Sequence, residues 1–188
     1  MEIKSADFVK GINGTDPILY NGIRQVAFVG RSNVGKSSLI NALLKRKDLV
    51  KVGKKPGKTT EINFFLINKK TYFVDLPGFG YAEATPEKRE KIRKLILWYL
   101  MYSEAQPLVV LVLDIKAGLT DFDKEVLEVL RNEELQYLIV ANKMDKLKQQ
   151  DVVKQINLIK QESKEGEIIA CSAQDKKNLH VLLKKIFN

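Results

Sequence analysis

The sequence predicts a three-layer α/β fold: a mostly parallel six-stranded sheet with one antiparallel edge strand and helices on both faces. Three observations carry this. Apolar runs alternate with helix-period segments along the chain, which implies parallel strands joined by helical crossovers. Most of those runs are continuously apolar and β-branched, as in strands buried on both faces. Two of them are separated by a single Lys-Lys pair, a hairpin spacing that adds the antiparallel strand.

The elements follow in order. QVAFVG (25–30) leads into the helix-like SSLINALLKRK; INFFLIN (62–68) and TYFVDL (71–76) flank Lys69 and Lys70. PLVVLVLDI (107–115), LQYLIVAN (135–142) and EIIACS (167–172) each precede a helix candidate. Thr120 with Asp123 three residues on is a capping-box-like start, and Phe122, Val126, Val129 and Leu130 then share one face. Leu179, Leu182 and Ile186 give the last helix a similar face. Residues 1–24 carry weak signals and are expected to wrap the outside as a short strand and loop, an N-terminal extension packed on a single domain spanning 25–188. The stretch KRKDLVKVGKKPGKTTE (45–61) is too polar for an element and predicts a long mobile loop.

With 188 residues the chain suits one full-cored domain, and 45% apolar with 29% charged residues exclude a disordered one. The formal charge of +9 favours an anionic partner. A single cysteine excludes an internal disulfide and suits a reducing compartment. MEIKSADFVKGING lacks the apolar core of a secretory signal, and LVVLVL falls far short of the ~20 residues that span a bilayer. No membrane anchor is visible and a cytoplasmic protein is expected.

Chemistry concentrates in four short stretches. Gly30-Arg31-Ser32-Asn33-Val34-Gly35-Lys36-Ser37, with Ser38 next, matches G-x-x-x-x-G-K-[ST] at the end of a strand and the start of a helix. Glycines there let backbone N–H groups wrap a phosphate chain. Lys36 is placed to neutralise the β- and γ-phosphates, and Ser37 to offer its hydroxyl to Mg²⁺. Asp75-Leu76-Pro77-Gly78 closes a strand; the carboxylate can hold Mg²⁺ through water and the Gly78 N–H can meet a γ-phosphate.

Asn142-Lys143-Met144-Asp145 at the next-but-one strand end selects the base. A carboxylate at Asp145 accepts from guanine N1–H and its 2-amino group, an edge that adenine lacks. Asn142 can bond the purine and the neighbouring loop, the Lys143 stem can cover the ring, and in Cys171-Ser172-Ala173 the Ala173 N–H can reach guanine O6. Within the polar loop, Gly57 and Lys58 precede Thr59, a candidate second hydroxyl for Mg²⁺, with Thr60 as its competitor. Lys36, Thr59 and Gly78 are thus the expected catalytic groups.

The order of motifs resembles the translation-factor class of P-loop GTPases, most closely the EngB type of bacterial ribosome-biogenesis GTPase. GRSNVGKSSLIN, PGKTTEINFF (56–65), DLPGFGYA (75–82), NKMD and CSA carry the likeness, which spans roughly residues 5–187. It implies a Ras-like G domain, GTP or GDP with Mg²⁺ as cofactors, and a role in maturation of the large ribosomal subunit. Residues alone give a basic, Mg²⁺-dependent guanine-nucleotide switch.

Position 79 is where Ras-like GTPases carry the glutamine that orients water. Phe79 stands there and is expected to pack in the core, so intrinsic turnover should be slow. Arg31 and Lys58 read first as solvated surface residues, with approach to the γ-phosphate as the alternative. Asn33 occupies the position where potassium-activated members of the wider class hold a monovalent cation, so K⁺ joins the expected cofactors; it can equally brace the loop. Lys45, Arg46, Lys47, Lys51, Lys54, Lys55 and Lys58 form one basic cluster, and Lys88, Arg89, Lys91, Arg93 and Lys94 a second. Flanking one nucleotide site, they favour a phosphate-backbone partner whose affinity changes with GTP; the resemblance implies that this partner is ribosomal RNA or a ribosomal subunit, bound by a monomer. Trp98 and Tyr99 read as core and flank, His180 as surface, and Cys171 as a buried strand residue. A nucleotide kinase and a membrane-surface GTPase are the competing readings; NKMD opposes the first and the absence of an amphipathic anchor the second.

Overall fold

The computed structural model describes residues 2–50, 61–80, 84–102, 104–164 and 166–188. Seven strands form one sheet: β1 (Ala6–Ile12), β2 (Arg24–Gly30), β3 (Ile62–Ile67), β4 (Thr71–Asp75), β5 (Leu108–Asp114), β6 (Tyr137–Asn142) and β7 (Glu167–Ala170). Their order is β1-β3-β4-β2-β5-β6-β7, with β4, β2, β5, β6 and β7 mutually parallel. The five helices are α1 (Lys36–Leu44), α2 (Pro86–Tyr102), α3 (Asp121–Asn132), α4 (Gln149–Ser163) and α5 (Leu179–Phe187).

The three-layer class is as expected, with one strand more than the six read from the sequence. The extra strand is β1, from the N-terminal extension. It pairs antiparallel with β3, and β3 antiparallel with β4, so the antiparallel strand β3 lies one place in from the edge. Neither face of β1 is a continuous apolar run; only its ends, Ala6 and Ile12, are buried and Phe8 is 54% exposed, so local pattern gives little warning of it. A side chain fixes its position instead. Asn68 Oδ1 accepts from the N–H groups of Lys4 (2.7 Å) and Ser5 (3.0 Å), while Asn68 Nδ2 donates to the Glu2 carbonyl (2.8 Å). Asn68 can do this because it sits in the β3–β4 turn, where it and Lys69 take left-handed φ values of 48° and 58°. Two such residues in succession give the primed turn whose twist suits a hairpin.

Strand side chains alternate between two cores. Ala27 and Val29 of β2 face a core closed by α2, α3 and α4; Val26 and Phe28 face one closed by α1 and α5. Each fully buried Leu, Ile, Val or Phe contributes roughly 1.5–3 kcal/mol relative to exposure. Tyr99 is in the first core, as read, with its hydroxyl donating to Gln25 Oε1 at 2.7 Å. The Thr120–Asp123 capping box forms as the spacing predicted, fixing the start of α3. No helix among the described residues is long and apolar enough to cross a membrane. The parallel arrangement brings the C-terminal ends of β2, β4, β5 and β6 to one edge, and the site is built there.

Candidate functional site: a phosphate loop braced to a base loop

β2 ends at Gly30, and the chain turns through Arg31–Val34 before α1 starts at Lys36. The turn needs a left-handed residue, which Gly35 supplies at φ 90°. A Cβ on Gly35 would also lie 2.6 Å from Asn142 Nδ2, so the position is closed to other residues twice over. The α1 amide groups thereby open onto the loop, giving the anion cradle of a helix N-terminus.

The segment after β4 lies against this loop. The Ser32 N–H donates to the Phe79 carbonyl at 2.7 Å, and a Cβ on Gly78 would be 3.3 Å from Ser32 Cα. Lys36 Nζ is ion-paired to Asp75 Oδ1; both side chains are nearly buried, 7% and 5% exposed. The lysine meant for phosphate and the carboxylate meant for Mg²⁺ therefore neutralise each other across the loop. Phe79 is buried as expected, its ring centroid 4.1 Å from that of Phe122 in an edge-on contact. It is a packing residue.

The base loop is tied to the phosphate loop by side chains. Asn142, buried, donates through Nδ2 to the Val34 carbonyl (2.9 Å) and accepts at Oδ1 from the Ala173 N–H (3.1 Å). Its amide thus spends itself on the two neighbouring loops and braces them. Lys143 Nζ reaches the Asn33 carbonyl at 2.5 Å and Asp114 Oδ2 at 2.8 Å, which holds its stem across the site. Asp145 Oδ1 accepts from the Ser172 hydroxyl at 2.5 Å, and that hydroxyl accepts from the Asp175 N–H at 2.9 Å. The carboxylate is oriented with its other oxygen unspent in these bonds, as guanine recognition requires.

Several expected site residues act only through backbone. Val34, Leu76 and Cys171 have buried side chains. Cys171 stands behind the base loop, its carbonyl accepting from the Met144 N–H at 3.0 Å, and burial pushes its thiol pKa up to about 12. Arg31 folds back over Gly80, whose added Cβ would be 3.4 Å from Arg31 Nε, and its charge acts on Asp123. Asn33 is exposed at φ 69°, and among the described residues its side chain makes no hydrogen bond, so it does not brace the loop. Gly57, Lys58, Thr59 and Thr60 lie outside the described residues, as do Lys51, Lys54 and Lys55.

Asp114 was missed by the sequence reading. It ends β5 in register with Asn142 and anchors Lys143, so it positions the base loop. The signal was a carboxylate terminating LVVLVLD at the same sheet edge as the motifs. In the second basic cluster, Arg93 is consumed by ion pairs to Glu125 of α3 and Glu90 (3.3 Å), which raise its pKa, the Glu125 bond foremost.

Among the described residues no three His, Cys, Asp or Glu side chains converge to hold a metal. Mg²⁺ needs no such cage, since it is commonly bound by one or two protein oxygens with waters and phosphate oxygens. The hard-oxygen pair Ser37 and Asp75 fits it.

Fold and site together define a P-loop GTP-binding protein. A family model described as 50S ribosome-binding GTPase matches residues 25–143, and one described as elongation factor Tu GTP-binding domain matches residues 103–188. The chain is 42% identical to a probable GTP-binding protein EngB of Clostridium kluyveri, over 98% of this chain and 95% of the relative. It is 47% identical to one of Natranaerobius thermophilus, over 79% and 77%. A crystal structure of a probable GTP-binding protein engB superposes with a TM-score of 0.75 at 31% identity, covering 87% of this chain and 96% of that one. The structure of Era with MgGDPNP and nucleotides 1506–1542 of 16S ribosomal RNA gives 0.70 at 26%, covering 87% and 55%. The chain belongs to the 50S ribosome-binding GTPase family and is a GTPase of the EngB type.

Proposed function

We propose that this GTPase is a nucleotide-gated assembly factor for the large ribosomal subunit, docking on ribosomal RNA while GTP is bound and leaving after slow hydrolysis. The observation that carries the reading is Phe79. A residue locked edge-on against Phe122 cannot orient water, so position 79 supplies no help to hydrolysis. A long-lived GTP state suits a protein that waits on a large partner. The charge of +9 and the description of the matching family support a polyanionic one.

Mg²⁺ belongs to the same reading. Ser37 would hold it and Asp75 would reach it through water; bound there, Mg²⁺ would supply positive charge to neutralise phosphate oxygens. K⁺ is proposed beside it, on the exposed and unengaged side chain of Asn33. Equal single-turnover rates in KCl and NaCl, for wild type and Asn33→Ala, would remove K⁺ from the scheme. A site on the cytoplasmic ribosome follows from the role.

The test is co-sedimentation with purified large subunits in GTP, GDP and no nucleotide. Binding in GTP that falls at least tenfold in GDP and weakens steeply with salt is expected. Equal binding in all three states would overturn the gating.

A further inference from the structure

We propose that a groove between α2 and the β1–β2 connection is a single-nucleotide subsite for single-stranded RNA, with Trp98 as the stacking surface. The groove is small, about 300 Å³, and opens to solvent. Lys91, Lys94, Leu95 and Trp98 line one side, at spacings that place them on one face of α2; Asn13 and Thr15 line the other. Trp98 is half-buried: it rests against the core and also reaches the groove. This goes past the sequence reading, in which Trp98 only packs.

The chemistry of the lining selects the occupant. Among the described residues no carboxylate lines the groove. Lys91 has no ion-pair partner among the described residues, and Lys94 has only a 3.8 Å contact to Glu90 while 73% exposed. Asp16, close by in the chain, is already spent: Lys10 Nζ bonds it at 2.7 Å and the Ile18 N–H at 3.0 Å. One unpaired and one only loosely paired ammonium group beside an indole are suited to a phosphate and a base. Stacking accepts any base, because every base has a π-face, and an ammonium tracks the backbone. The volume admits one nucleotide and excludes a duplex, whose bases are in any case hidden. An acidic peptide would satisfy the lysines but leave the indole without a flat partner.

The inference rests on the RNA-docking reading above and deepens it by naming where a strand is held. α2 begins eleven residues after Asp75, so the subsite is on the helix that continues the segment lying against the phosphate loop.

Trp98 is the only tryptophan in the chain, so its fluorescence reports on this groove alone. Full-length protein with a GTP analogue would be titrated with a short oligouridylate, a duplex RNA and polyglutamate. Quenching by the single strand only is expected. Affinity measured on labelled oligouridylate should fall about fivefold to a hundredfold in Trp98→Leu and be largely kept in Trp98→Phe. Lys91→Glu with Lys94→Glu should reduce the slope of log K against log salt by about 1.4 or more. Unchanged GDP affinity and unfolding midpoint would certify that each variant is folded. Absent quenching, equal affinity in Trp98→Leu, or equal quenching by polyglutamate overturns the subsite. If oligouridylate fails while wild type still co-sediments with subunits, the subsite falls and the assembly reading stands; quenching without co-sedimentation has the opposite meaning.

Discussion

Removing the Asn142 side chain should uncouple the two halves of the nucleotide site. In Asn142→Ala the Val34 carbonyl loses its donor at 2.9 Å and the Ala173 N–H its acceptor at 3.1 Å. Both partners belong to loops packed around a residue only 1% exposed, so each is left with a desolvation penalty of about 1–3 kcal/mol. Water entering from the open nucleotide edge recovers part of that, and a net loss of about 2–4 kcal/mol is expected. At a urea m-value of about 2 kcal/mol/M, the midpoint should fall by about 1–2 M. Asn142→Asp makes the test sharper. One carboxylate oxygen still accepts from Ala173, but the other confronts the Val34 carbonyl, acceptor against acceptor. The variant should therefore be less stable than Asn142→Ala at pH 7 and recover as pH falls, when a protonated carboxyl can donate to Val34. GDP affinity should drop in both variants while guanine remains preferred, since Asp145 is untouched. A midpoint shift below about 0.25 M, or an Asp variant as stable as wild type, would refute the brace.

Three further outcomes can be checked. Asp145→Asn should move preference from guanine toward xanthine nucleotides by about 10²-fold, read by competition, and unchanged selectivity would contradict the base-reading role. Asp123 is fully buried with Oδ1 unpaired, and burial raises its pKa against the opposing bonds from Thr120. Its contribution to stability is thus complete below the unfolded value of about 3.9 and is lost as pH rises from there through the higher folded value. Asp123→Asn should flatten that part of the stability curve; parallel curves for the two proteins would be the contrary result. The buried Cys171 thiol, at about 12, should resist alkylation at pH 8 until the chain is unfolded by denaturant, and rapid native labelling would place it elsewhere.

The motifs that could be read in advance are those whose chemistry is backbone geometry at fixed spacing. Gly30 to Ser37 needs a strand before it and a helix after it, and the apolar pattern supplied both. Asp145 and Ser172 were legible for the same reason, each lying just past the end of a buried strand. Asp114 was not, because its partner Lys143 is 29 residues away and only the β5–β6 register brings them together. β1 was faint because an edge strand buries little, and the Asn68 side chain that seats it spans more than sixty residues. Arg93 read as one of the cations offered to RNA, since nothing local announces that α3 presents Glu125 to it.

The Lys36–Asp75 pair makes the phosphate loop and the end of β4 answer for each other's charge. With both side chains nearly buried, neutralising either one alone strands the other without a counter-charge, a loss of about 3–5 kcal/mol, whereas replacing both together forfeits far less. Two motifs that the chain spells 39 residues apart are thus bound into one electrostatic unit, and neither can be altered in private.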